Sequence, residues 1–278
     1  MSGTRRALAD PPGALPADPA GSRAAEARPG VLSARVLVPL VSACIIPGGW
    51  ALVAESRLFG SAVVSPLATI QEIHRNWAVL WLNARPTLDA TLLGVAVLLA
   101  ITAAGAFVVA LVPRVTPALA AVSVVIGTLP LIVLTPILSL FVQRGRLLVA
   151  TVCVLAGLVP VAATLSGMAR VGERGRAELG ALYGASRLRW WRCVGFWQTV
   201  PVLDLGIRAM IPYCFVGSIV AEWSGASSSF GLGEVMTNAL FSYEPALLWA
   251  TITLAAVGSL ALLGLATVAM YPFRRRLR

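Results

Sequence analysis

The stretch ELGALYGASRLRWWR, Glu178 to Arg192, is the one long interruption rich in charge and glycine between two pairs of strongly apolar segments. Arg170, Arg174, Arg176, Arg187, Arg189 and Arg192 surround Glu178, Gly184, Ala185 and Ser186. Leu179, Leu182 and Tyr183 lie three and four apart, which predicts a short helix over 173–183 with one apolar face. Gly184 then stops or bends the chain, because glycine alone takes left-handed dihedrals without a Cβ clash. Ser186 is placed to cap a second helix carrying Leu188, Trp191 and Val194. Trp190 and Trp191 add amphipathic contact area at headgroup level. The pattern predicts two short helices around a glycine turn, either lying on a membrane or gripped by a soluble partner.

Composition says which of the surroundings are lipid. The chain is 58% hydrophobic and only 12% charged, about half the charge of an ordinary soluble domain. Its mean hydropathy is +0.84. Several apolar runs reach the roughly 20 residues that a hydrocarbon core demands of a helix. Arginine supplies all 22 basic residues, and the net charge is +10. Those arginines flank apolar runs, which suits anionic headgroups and excludes nucleic acid as the natural partner. Cys44, Cys153, Cys193 and Cys214 form no close pair and read as small apolar residues of packed helices.

Residues 1–34 are rich in Ala, Pro, Gly and Arg, without an aromatic residue or a period, and predict a disordered tail. Six spans follow, making residues 35–278 one membrane domain with an all-α fold. The first, Val36 to Ala54, contains Pro39, Pro47, Gly48 and Gly49 and is expected to kink or end early. Ser65-Pro66 opens a surface helix over Leu67 to Trp77, with Trp77 and Trp81 as interface anchors. The second span is Leu88 to Val112, with Gly94 and Gly105 permitting close helix approach. The third, Ala118 to Val142, carries Pro130 and Pro136. The fourth, Leu147 to Leu165, is broken by Gly157 and Pro160; the loop of 169–199 separates it from a fifth that Pro201 opens and Val220 ends. Ser224 to Tyr243 reads as a Gly- and Ser-rich connection, and Pro245 to Met270 is the sixth span.

Charge sets the orientation. With both termini inside, sixteen arginines face the cytoplasm and five face outward, Arg57, Arg75, Arg85, Arg144 and Arg146. That asymmetry follows the positive-inside rule and puts the 169–199 loop in the cytoplasm.

The loop resembles the cytoplasmic coupling motif of the membrane subunits of ATP-binding-cassette importers. That motif has a Glu, two small residues, and a Gly six positions after the Glu, followed by Ala-Ser; Glu178, Gly184, Ala185 and Ser186 match it. Pro201, Gly206, Ile207, Arg208, the run Val220-Ala221-Glu222 and Gly231-Leu232-Gly233 are similar to the nitrate, taurine, alkanesulfonate and thiamine- or riboflavin-precursor branch. Upstream, Ser65-Pro66, Thr135-Pro136-Ile137-Leu138 and Val159-Pro160 look like it as well. The resemblance spans about residues 36–278. Departures are Leu179 and Gly180 where alanines are usual, and Trp197 where many relatives carry a second proline. It implies a permease of a bacterial inner membrane, paired with a second permease subunit, two cytoplasmic ATP-binding subunits and an extracytoplasmic solute-binding protein. ATP-Mg would sit on the partner subunit, since a chain without lysine has no Walker-type lysine loop. No catalytic residue, cofactor or metal site is expected in this chain.

Within the membrane, Asp204 and Arg208 are four apart and share a helical face, as a structural pair or as gate or path lining. Glu222 reads as a helix end or as a contact for the outer binding protein. Pro130, Thr135, Pro136, Ser139 and Pro160 are candidates for broken helices along a path, or ordinary membrane prolines and their neighbours. An ATP-independent transporter or channel predicts internal duplication, which the sequence does not display. A membrane scaffold without transport is the third reading.

Overall fold

A computed structural model describes residues 30–56, 58–175, 184, 186–227 and 230–275. Two compact units divide the chain, residues 1–50 and 51–278. The helix α1, Gly30–Ser56, begins in the first. It therefore includes residues 30–34 of the expected tail; residues 1–29 lie outside the described residues. It also runs on through Pro39 and Pro47, where a kink or stop was expected. Its shorter apolar part, Cys44–Glu55, is below spanning length by itself.

The second unit is helical among its described residues. The surface helix α2, Pro66–Arg75, starts where Ser65 accepts a hydrogen bond from the Ala68 amide at 3.3 Å, with proline in the first turn. The helix α3, Trp77–Leu111, begins well before the expected Leu88 and carries Pro86 inside it. Asn83, Arg85 and Pro86, ahead of that expected start, already have helical backbone. Its 35 residues extend about 52 Å, beyond a hydrocarbon core of about 30 Å. The excess carries Trp77 and Trp81, stacked with ring centres 5.8 Å apart.

A short turn, Pro113–Val115, leads into α4, Thr116–Thr128, and α5, Leu131–Leu138. These two meet at 88°, so the third expected span is a bent pair. Pro130 sits at the bend, its ring excluding a continuing helical hydrogen bond. The helix α6, Arg146–Gly175, passes unbroken through Gly157 and Pro160, contrary to the expected break. After α6, the short helix α7, Arg187–Trp190, and a wide π turn, Trp191–Gly195, precede α8. The helix α8, Phe196–Trp223, holds Pro201 and Pro212 inside rather than starting at Pro201. Next come α9, Leu232–Phe241, in the expected connection, then α10, Pro245–Ala269, and α11, Tyr271–Arg275.

Among the described residues, four helices are long and apolar enough to cross a membrane: α3, α6, α10, and α8 with the π turn ahead of it. Counting the bent pair makes five. The core is the seam of α3, α6 and α8, where Leu98, Leu148, Val152, Met210 and Cys214 are fully buried. Small residues let these helices close up. A Cβ on Gly94 would stand 2.6 Å from the Cys153 Cβ, and one on Gly217 would stand 2.9 Å from the Ala156 Cβ. In α6, 61% of the spanning window is buried, against 6% in α10, so α6 is the axis and α10 the periphery. Leu80, Val235 and Ala250 tie α3, α9 and α10 together.

Candidate functional site

The helix α6 is about 45 Å long, so its ends mark two opposite ends of the α6–α8 pair. One is the elbow between Gly175 and Phe196; the other is where Arg146 and Trp223 lie. The sites singled out in the sequence fall at these ends and between them.

At the elbow, Glu178 and Ala185 lie outside the described residues, as does most of the expected first short helix. Gly184 takes the left-handed conformation, with φ +59°, and a Cβ there would meet nothing within 4 Å. Ser186 is exposed, its carbonyl accepts from the Trp190 amide at 2.9 Å, and α7 follows at once. Trp191 packs edge-on against Phe107 of α3 and Phe196 of α8, which fastens the α8 side of the elbow to the bundle. Three buried polar atoms on α7 and the elbow-side half of α8 find no hydrogen-bond partner among the described residues: Trp190 Nε1, Gln198 Oε1 and Arg208 Nη2.

Between the ends, Asp204 and Arg208 pair at 3.4 Å on α8, with side chains 15% and 31% exposed. The pairing expected from their spacing is present. Pro130 and the α4–α5 bend open an apolar cavity of about 350 Å³ against α6 and α8, lined by Gly127, Leu131, Val159 and Tyr213 among others. A neighbouring cavity of about 330 Å³ shares Val159 and Tyr213 and is lined by Pro160. Thr135 turns inward, 1% exposed, and donates to the Leu131 carbonyl at 2.9 Å. Ser139 ends α5 and donates to the Pro136 carbonyl at 2.6 Å. Of the expected path residues, Pro160 therefore borders open volume, while Thr135 and Ser139 satisfy local backbone.

The far end holds a polar clasp. A helix leaves its first amides without intrahelical partners, and in an apolar bundle each must find an acceptor. For α9, three consecutive amides at Gly231, Leu232 and Gly233 donate to three side chains from other helices. Gly231 donates to Asn83 Oδ1 at 3.0 Å, Leu232 to Thr87 Oγ1 at 2.9 Å, and Gly233 to Glu222 Oε2 at 2.9 Å. Thr87 in turn donates to Glu222 at 3.0 Å, and one turn deeper the Thr91 and Ser218 hydroxyls meet at 2.9 Å. Glu222 is 3% exposed, near the end of α8, with its carboxylate facing into the bundle. It stands one residue before the end of α8, with its side chain turned away from the surface in this conformation.

The glycines of the clasp are there because of crowding. A Cβ on Gly231 would lie 2.5 Å from the Glu222 carboxyl carbon, and one on Gly233 would lie 2.5 Å from the Ile219 carbonyl oxygen. Sequence reading caught Glu222 and Gly231-Leu232-Gly233 but missed Asn83, Thr87 and Thr91. Their spacing of four was the available signal, since it places all three on one face of α3.

Comparison with models of known protein families and with curated proteins yields no match for this chain. Its long apolar helices, proline-bent pair and buried polar clasp make it a multi-pass, all-helical membrane protein.

Proposed function

We propose that this chain is the transmembrane subunit of an ATP-driven importer for a small solute. It works with cytoplasmic ATP-binding subunits, a second permease subunit in a homodimer, and an extracytoplasmic solute-binding protein. The observation that carries this reading is Gly184. A Cβ on this left-handed glycine would meet nothing within 4 Å among the described residues, and the glycine stands between the two most central helices, beside a charged stretch similar to a known coupling motif. A bend that no described residue packs against is what a groove on a partner would use.

In this reading α1 and the α4–α5 pair complete six spans, with both termini and the elbow in the cytoplasm of a bacterial cell. Glu178, Gly184, Ala185 and Ser186 seat the elbow on the ATPase, which supplies ATP-Mg. Closure of two ATPases displaces the elbow, and α6 and α8 carry the displacement through their shared seam. Alternating access is then a shift between two packings, biased by ATP on one side and by the loaded binding protein on the other. Pro130, Pro136 and Pro160 supply the broken or weakened helix segments along the path, and Asp204–Arg208 lies beside it.

Affinity purification from native membranes tests the reading. The expected result is a co-purifying ATPase whose hydrolysis rises with a loaded binding protein. A chain that purifies without any ATPase, yet moves solute in proteoliposomes lacking ATP, belongs instead with ATP-independent transporters or channels. One that does neither is a scaffold.

A further inference from the structure

Beside the clasp, a cavity of about 380 Å³ opens between α3, the start of α6 and the segment leading to α9; Leu82, Arg85, Asp89, Gly145, Arg146 and Phe230 are among its walls. Arg85 and Arg146 come from different helices and are both exposed. Among the described residues, neither has a carboxylate within the 4.0 Å of an ion pair. Arg146 is also the first residue of α6, whose opening amides add positive character at the same place. An arginine that only anchors a helix at the interface needs no cavity; these two face a shared one. Its walls carry the other half of a lipid's chemistry. Leu82 and Phe230 are 55% and 52% exposed, giving apolar surface beside the charge. Arg85 lies over the Trp81 ring at 5.3 Å, and Trp81 is stacked on Trp77, the aromatic signature of headgroup depth.

We propose that this cavity is a binding site for the phosphate of an anionic phospholipid. The phosphodiester lies between the Arg85 and Arg146 guanidinium groups, as in other basic pockets between membrane helices. Acyl chains run along the Leu82 side of α3, and the Asp89 carboxylate accepts from headgroup hydroxyls. A lipid seated there bridges α3 and α6 next to the clasp. This site does not depend on the importer reading, because no ATPase or binding protein takes part.

The test uses the full-length chain in nanodiscs of phosphatidylcholine with and without phosphatidylglycerol. Lipid retained through purification is counted by mass spectrometry, and thermal unfolding is followed in parallel. Wild type is expected to retain phosphatidylglycerol and to be stabilised by it. Arg85→Gln and Arg146→Gln should each lower retention about fivefold, the scale of one arginine at a lipid surface. Both residues are exposed, so unfolding in pure phosphatidylcholine should match wild type. Arg75→Gln removes an arginine whose side chain is 77% exposed on α2 and should change nothing. Equal loss in Arg75→Gln means diffuse surface attraction and overturns the site. Retention unchanged in both cavity variants does so too. A third arm adds inorganic phosphate to phosphatidylcholine discs; if phosphate stabilises the chain through these arginines and phosphatidylglycerol does not, the ligand is a soluble anion and the lipid assignment fails.

Discussion

Two glycine-bearing segments stand at opposite ends of the α6–α8 pair, and they use the same residue for opposite reasons. At the clasp, Gly231 and Gly233 are surrounded: any Cβ would run into the Glu222 carboxyl group or the Ile219 carbonyl. At the elbow, a Cβ on Gly184 would meet nothing within 4 Å among the described residues, and it is the dihedral of +59° that calls for glycine. Packing dictates the first pair; backbone conformation dictates the second. The clasp end is thus completed by the chain itself, the amides of Gly231, Leu232 and Gly233 each paired. Elbow-side atoms such as Trp190 Nε1 find no partner among the described residues. On the proposed importer reading, that asymmetry leaves one end held and the other available to be pushed.

Substitutions can break or sharpen the contrast. The largest effect is expected from Gly233→Val, which drives a side chain into the Ile219 carbonyl and the Trp223 amide. A loss of about 3 kcal/mol is the scale of such overpacking, read as a large fall in the thermal midpoint in detergent. Glu222→Ala should follow. It leaves the Gly233 amide without its buried acceptor and the Thr87 hydroxyl with only the Asn83 carbonyl at 3.2 Å, at about 2 kcal/mol. Glu222→Gln keeps a carbonyl oxygen at that position and should lose less; equal losses would mean that size, not hydrogen bonding, matters there. Thr91→Val should cost about 1 kcal/mol by removing the hydroxyl pair with Ser218.

Gly184→Val should have a small effect on unfolding of the isolated chain, since the left-handed cost of about 1–2 kcal/mol falls on an exposed turn that can relax. If the importer reading holds, ATPase stimulation in the assembled complex should be lost. Should the midpoint fall as far as in Gly233→Val, the elbow is a packed element and the contrast collapses. The smallest effect is expected from Asp204→Asn. Its partly exposed pair with Arg208 is worth at most about 1 kcal/mol, measured as a slight shift in midpoint that salt reduces.

Charge and hydropathy were legible along the chain because they are sums over neighbours in sequence. They placed the apolar helices, the surface helix after Ser65 and the stacked tryptophans at its edge. The pairing of Asp204 with Arg208 followed from the helical repeat alone. Proline was read less well. Pro47, Pro160 and Pro201 looked like ends or breaks, and each sits inside a helix. At Pro130 the chain does turn sharply. A proline removes one hydrogen bond and adds one clash; whether the helix bends depends on the helices packed around it.

From the sequence by itself came the solvent: too little charge for water, apolar runs of membrane length, and a glycine elbow among arginines. Local composition suffices for that, because transfer into lipid is decided segment by segment. Tertiary structure alone decided that α9 is a helix, that Glu222 faces inward and that Asn83 and Thr87 meet residues more than a hundred positions away. Those choices are made by amides that must find acceptors where no water reaches, and the acceptors lie on helices that only folding brings near.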